Sequence, residues 1–231
     1  MTLLNISPFA ILRWGAFFNH FDLFFKGFLY TLGISFGALL LALILGILSG
    51  GLSTSKSKVG KLISRIYVEV FQNTPLLVQM VFVYYGLAII SNGHVMISAF
   101  FTAVLCVGLY HGAYISEVIR SGIEAVPKGQ TEAALAQGFT ANQTMQLIIL
   151  PQAVRTILPP MTNQVVNLIK NTSTVAIISG ADIMFVAKAW AYDTTNYIPA
   201  FAGAAIFYFV ICFPLASWAR KQEELNKKTY S

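Results

Sequence analysis

Charge is scarce in this chain: only 10% of its 231 residues are Asp, Glu, Lys or Arg, against roughly a quarter in a soluble domain. With 56% hydrophobic residues and a mean hydropathy of +0.69, that scarcity makes lipid the main solvent. Cysteine is nearly missing too. Cys106 and Cys212 each sit inside a long apolar run, which excludes a disulfide framework and cysteine-based metal spacing. The start lacks the basic head, short apolar core and small-residue cleavage site of a secretory signal, so the chain is expected to be mature as it stands. No Ser/His/Asp set and no dinucleotide fingerprint occurs. Gly50-Gly51-Leu52-Ser53-Thr54-Ser55-Lys56-Ser57 comes one residue short of a phosphate-binding loop, because Ser55 stands where the second glycine must let the backbone cradle phosphate. The run also follows an apolar span where a strand is needed. The chain is therefore expected to have no ATPase site and no cofactor of its own, and not to be an enzyme. No internal repeat is visible, which weighs against the inverted repeats frequent in secondary transporters.

What is present is a set of five apolar stretches long enough to span a membrane. They run from about Phe24 to Leu52, Ile66 to Ile90, Val95 to Ile119, Pro160 to Ser179 and Tyr197 to Ala219. The second is interrupted by Gln72-Asn73-Thr74-Pro75, and the fourth contains Lys170. An odd number of spans puts the termini on opposite sides. Lys56, Lys58, Lys61 and Arg65 follow the first span, Arg120, Lys128 and Arg155 lie between the third and fourth, and Arg220, Lys221, Lys227 and Lys228 close the chain. With these inside, only Arg13, Lys26 and Lys188 remain outside, so the N-terminus is expected outside and the C-terminus in the cytoplasm. The same placement explains the net charge of +6 as anchors beside anionic membrane lipid, with no need for nucleic acid. The expected organisation is one transmembrane domain, 1–231, with an outer N-terminal segment 1–23, a cytoplasmic loop 120–159 and a cytoplasmic tail 220–231. Overlapping the first of these, the aromatic stretch Ile6 to Phe25 reads as an interfacial helix on the outer leaflet or as an ordered lead-in, with its aromatic character favouring the former.

The loop 120–159 is too apolar for a linker and too polar to span. Pro127-Lys128-Gly129 reads as a turn, followed by a helix through Glu132-Ala133-Ala134-Leu135-Ala136-Gln137. Gly138 suits the left-handed position that closes a helix. Thr140-Ala141-Asn142-Gln143 has the form of a capping box and opens a second short helix, interrupted at Pro151. Polar residues also form stripes inside the spans. Asn163, Asn167, Lys170 and Thr174 share a helical face, with Asn171 and Thr172 beside it, and so do Tyr110, Tyr114, Glu117 and Ser121. The second span adds Glu69, Gln72, Asn73, Thr74 and Gln79. Such residues are costly in hydrocarbon, so they line a solute path or glue neighbouring helices. For Lys170 the two readings are path-lining and an ion pair with Glu69 or Glu117. His111 reads as a packed, hydrogen-bonded helix residue.

Glu132-Ala133-Ala134, then Gly138, then Ile149-Leu150-Pro151 resembles the EAA motif of permeases of binding-protein-dependent ATP-binding-cassette (ABC) importers. The runs 114–123, Gly129-Gln130-Thr131-Glu132, Thr74-Pro75-Leu76-Leu77-Val78-Gln79, Leu150-Pro151-Gln152-Ala153 and Leu168-Ile169-Lys170-Asn171-Thr172-Ser173 are similar to its polar amino acid branch. The chain departs from the branch at Gln72-Asn73, where Arg-Gly is usual, and at Asn171 and Thr174, where Asp and Leu are common. The resemblance implies an all-α membrane protein of the type I ABC importer permease kind, a multi-pass subunit of the inner (plasma) membrane. Five transmembrane helices would form half of the translocation pathway, and the cytoplasmic loop would act as a coupling helix. It implies ATPase coupling by Glu132, Ala133, Ala134, Gly138, Ile149, Leu150 and Pro151. The substrate path would draw on Gln72, Asn73, Thr74, Gln79, Tyr110, Tyr114, Glu117, Asn167, Lys170, Asn171 and Thr172. The implied partners are a cytoplasmic ATPase dimer carrying ATP and Mg, a second permease subunit (identical or homologous), an extracytoplasmic amino-acid-binding protein and a polar amino acid of the glutamine or glutamate kind. The competing class is an ion-coupled secondary amino acid transporter.

Overall fold

The structure, a computed structural model, describes residues 11–230, with side chains through Lys221 and that of Glu224; residues 1–10 of the expected outer segment and Ser231 of the tail lie outside the described residues. Among the described residues every regular element is helical. In chain order they are α1 (Ile11–Asn19), α2 (Phe21–Thr54), α3 (Lys58–Gln72), α4 (Leu76–Ile90), α5 (Ala99–Glu124), α6 (Lys128–Ala136), α7 (Ala141–Ile178), α8 (Ile183–Thr194) and α9 (Tyr197–Tyr230). The expected all-α membrane fold is what these residues build.

Three helices, α2, α5 and α9, are long and apolar enough to cross a membrane alone, and the number becomes five if each of two bent pairs counts as one span. The first pair is α3 with α4, bent by 95°. The expected second span is thus turned through a right angle at the interruption seen in the sequence. The cause is local. Asn73 N–H and Nδ2 both donate to Glu69 O, and Thr74 Oγ1 donates to Val70 O, so side chains consume the last carbonyls of α3. Pro75 then opens α4 in extended backbone, with no N–H to offer.

The second pair is α7 with α8, bent by 46°. Here three expectations are corrected. The helix that holds the expected fourth span does not begin near Pro160, because α7 starts at Ala141 and carries Pro159 and Pro160 inside it. Pro151 does not interrupt the second loop helix either. A π-helical stretch, Thr144–Ile149, precedes it, and the wider turn seats the ring where an α-helical carbonyl would clash. The loop therefore holds one short helix, α6, and the first turns of a long one, in place of two short helices. Lastly, α8 was not expected at all. Asp182 caps it by accepting from Met184 N and Phe185 N, and Ile183, Val186, Ala187, Trp190 and Ala191 form its buried face.

The chain divides into two compact units, and the long helices contribute to both. One comprises residues 11–39, 75–108 and 167–214. Its centre is aromatic: Phe17, Phe24 and Trp190 pack together, and Phe17 lies against Gly203, where no side chain would fit. Some of the buried polar groups here are matched across helices, which lowers their cost in an apolar environment. Arg13 Nη1 donates to Thr195 O at 2.8 Å and Asn196 Oδ1 at 3.1 Å, fastening α1 to the α8–α9 corner. Thr31 Oγ1 accepts from Ile183 N at 3.1 Å.

The other unit comprises residues 40–74, 109–166 and 215–230. Gly46 and Gly50 of α2 let Ile115 and Ile119 of α5 approach so closely that a Cβ at either glycine would strike them. Three hydroxyls bind the same helices to α3: Ser49 Oγ lies 2.8 Å from Ser64 Oγ and accepts from Ser116 Oγ at 2.9 Å. Tyr67 OH donates to Leu109 O at 2.7 Å, passing beside Gly112. The loop with the Glu132-Ala133-Ala134 motif and two polar clefts all belong to this unit.

Candidate coupling loop and polar cleft

The loop is built from its turn chemistry upward. Pro127 caps α6 in extended backbone, so the helix begins at Lys128; the expected Pro127-Lys128-Gly129 turn is absorbed into its first turn. The helix closes at Gly138, whose φ is +89°. Gly138 N donates to Leu135 O and Phe139 N to Ala134 O, the paired bonds of a Schellman stop. The capping box forms as expected: Thr140 Oγ1 accepts from Gln143 N at 3.3 Å, while Gln143 Oε1 accepts from Thr140 N at 2.8 Å.

Across this turn α6 packs on the π-helical start of α7. Ala134, Thr144 and Ile149 are buried between them. Gln152 Nε2 donates to Ile148 O at 2.8 Å and reaches Gln130 Oε1 at 3.3 Å, a polar brace between the two helices. Of the motif residues, Ala134 and Ile149 thus make the loop's own core. Glu132, Ala133, Gly138, Leu150 and Pro151 face outward. Leu135 and Leu147 are also exposed, at 49% and 60%.

Several of the expected path residues meet in one place. Gln72 of α3, Tyr114 and Glu117 of α5 line a cleft of about 440 Å³ with Ser121, Thr156 and Gln164. Gln72 is held by donation from Nε2 to Ala113 O at 3.2 Å. Tyr114 OH lies 3.2 Å from Tyr110 OH, which places Tyr110 behind it. His111 is buried and hydrogen-bonded to Gln164, as expected of a packed helix residue. Thr156 and Gln164 were not singled out in the sequence. Their signal is a four-residue spacing through Pro160, legible only once α7 is known to run past its prolines.

Glu117 is not bare in this cleft. Arg120 grips it from one turn further along α5, with Nη2 to Oε2 at 2.6 Å and Nε to Oε1 at 3.0 Å, and its Nη1 reaches Glu124 at 2.6 Å. A second cleft of about 330 Å³ adjoins the first, sharing Gln72 and Glu117 with it and lined further by Lys61, Arg65, Glu69 and Arg120.

The remaining path candidates are placed elsewhere. Asn73 and Thr74 spend their side chains on the end of α3. Gln79 is half-buried on α4, and Thr172 is fully buried, donating to Ile169 O at 2.7 Å. Asn171 is half-buried, whereas Asn163, Asn167 and Lys170 are exposed along α7. The ion pair considered for Lys170 does not form. Glu69 pairs with Arg65 at 2.7 Å and Glu117 with Arg120, each within its own helix.

A helical membrane subunit with a braced polar loop and an open cleft lined by intramembrane polar residues, and without a strand among its described residues, has the make-up of a transport permease. The chain is a member of the family of binding-protein-dependent transport system inner membrane components, which matches residues 42–224. It is 34% identical over 92% of its length to a probable glutamine ABC transporter permease protein, GlnM, of Bacillus subtilis, and covers 97% of that protein. It is 36% identical to a probable amino-acid ABC transporter permease protein, PatM, of Vibrio harveyi, over 85% of this chain and 89% of that one. Among solved structures, an amino acid ABC transporter with histidines superposes with a TM-score of 0.84 at 31% identity, over 91% of this chain and 97% of that one. The chain is accordingly a multi-pass inner-membrane permease subunit of the ABC kind, and the ion-coupled alternative is disfavoured.

Proposed function

We propose that this subunit forms half of the translocation pathway of an importer for polar amino acids with glutamine-like side chains. A cytoplasmic ATPase dimer drives it through the loop 120–159. The observation that carries the reading is the braced loop itself. A polar segment outside the spans has invested a Schellman stop, a capping box and a glutamine brace in rigidity, yet exposes Leu135, Leu147 and the carboxylate of Glu132. An apolar tip flanked by charge on a stiff support suits a partner's groove, and stiffness lets a push at the tip reach α5 and α7. ATP and Mg belong to the partner, since the Gly50–Ser57 run lies inside and just after the apolar helix α2 with no strand before it. The loop and C-terminus face the cytoplasm, the N-terminus faces outward, and a second permease subunit and an extracytoplasmic binding protein complete the assembly. The amino acid class is supported by the relatives' names and by a cleft that offers amide, hydroxyl and carboxylate groups. Alternating access would follow from tilting of the helices around that cleft.

Reconstitution of the chain with its ATPase and binding protein in sealed vesicles tests this. Glutamine uptake should require ATP on the loop side and survive collapse of the ion gradients. Uptake that ignores ATP and stops with an uncoupler would return the protein to the ion-coupled class.

A further inference from the structure

The cleft at Gln72, Tyr114 and Glu117 contains one formal charge, and the structure spends an arginine on hiding it. Glu117 is the cleft's only carboxylate. Arg120 meets both of its oxygens, at 3.0 and 2.6 Å, and is itself steadied by Glu124 at 2.6 Å. Glu124 lines neither cleft and is 57% exposed, so water screens its charge more than that of Glu117 or Arg120. The pair is only about one-third exposed on each side, so water screens it incompletely and the cancellation is felt inside the cleft. The adjoining cleft adds Lys61, Arg65 and Glu69, of which Arg65 and Glu69 pair with each other. No excess negative potential therefore faces a solute at Gln72.

We infer that Arg120 is a specificity-determining residue: by masking Glu117 it keeps the cleft electrically neutral, so that the subunit admits amino acids with uncharged polar side chains and rejects cationic ones. The inference rests on the proposed solute role of the cleft and names what that cleft selects. A cation entering the cleft gains nothing from a carboxylate already satisfied, yet pays its full desolvation. An amide side chain loses little, because Gln72, Gln164, Thr156 and Tyr114 offer it both donors and acceptors.

Equilibrium binding of radiolabelled glutamine, arginine and glutamate to the purified permease–ATPase complex, with the binding protein left out, tests the inference. Wild type should prefer glutamine. Arg120→Gln should raise arginine binding relative to glutamine by roughly tenfold, the scale of one incompletely screened charge contact. Arg120→Lys should restore the neutral preference, and Glu117→Gln combined with Arg120→Gln should abolish the gain. Glu117→Gln alone leaves Arg120 paired with Glu124 only, so its positive charge is no longer cancelled on the cleft side, and should shift preference towards glutamate. That opposite sign keeps the idea testable even if Arg120→Gln fails to assemble. Glutamine binding that is weakened by Tyr114→Ala but shows no charge-dependent shift in these variants overturns the role of Arg120 and leaves the cleft standing. Binding that is unaffected by Tyr114→Ala, or missing in wild type, removes the cleft itself.

Discussion

Gly46 and Gly51 lie five residues apart on one helix and have opposite reasons to be glycine. A Cβ at Gly46 would collide with Ile115 and come within 3.1 Å of Gly112 O, whereas one at Gly51 meets nothing within 4 Å. Removing the side chain at Gly46 lets α2 and α5 touch along their backbones, where dispersion supplies what the hydrophobic effect cannot between helices in lipid. Gly46→Val should therefore cost about 1–3 kcal/mol through overpacking. Gly51→Ala should be neutral or gain up to about 1 kcal/mol, because it replaces glycine in a helix interior without a clash. The thermal midpoints of the two detergent-solubilised variants give the comparison, and equal losses in both would refute the packing account. Ser49, Ser64 and Ser116 extend the same logic to polar atoms. Their small hydroxyls satisfy one another in a place where any longer side chain would hold the three helices apart.

At the scale of elements, the loop shows what short-range chemistry can and cannot reveal. Gly138 sits at φ +89° with open space around it, so a side chain there meets strain in the backbone and no obstruction. Gly138→Ile should loosen the end of α6 by about 1–2 kcal/mol and reduce co-purification of the ATPase, while Gly138→Asn, which tolerates the left-handed region, should do so less. Full recovery of an intact complex from the isoleucine variant would detach the stop at Gly138 from coupling. Both that stop and the Thr140–Gln143 box were legible in the sequence, because each is fixed by residues within a few positions of itself. The prolines were misread for the converse reason. Whether Pro151, Pro159 and Pro160 break a helix depends on whether a π turn and tertiary contacts reseat the freed carbonyls, and sequence alone does not encode that outcome locally. The misreading had a cost at the site, since Thr156 fell outside the expected fourth span, and Gln164, though inside it, lay off the stripe drawn from Asn163 and was passed over. Helix α8 was missed because segments were sought at membrane-spanning length. Its pattern of Ile183, Val186, Ala187, Trp190 and Ala191 behind the cap of Asp182 was present all along. The cleft residues Gln72, Tyr114 and Glu117 were found because intramembrane polarity is conspicuous, but their masking by Arg120 is a matter of rotamers.

For the whole molecule, the distribution of lysine and arginine carries the proposed orientation, and orientation is what the coupling scheme cannot do without. The basic clusters 56–65, 120–155 and 220–228 alternate with stretches that hold few cations, such as 91–98 between α4 and α5. Arg13, assigned to the outer side from the count, turns out to be buried against Thr195 and Asn196 and so serves packing more than topology. That leaves the outer side poorer still in free positive charge, which strengthens the bias. Both native cysteines are buried, so single introduced thiols can report sidedness against a low background. His94 and Gln137 are exposed, one in the α4–α5 connection and one at the end of α6. With a membrane-impermeant maleimide on intact cells, His94→Cys should label at once, and Gln137→Cys should label only after the membrane is permeabilised. The second residue is the decisive one. Labelling of Gln137→Cys from outside would put the braced loop beyond the reach of any cytoplasmic ATPase, and the permease would then need a different source of work.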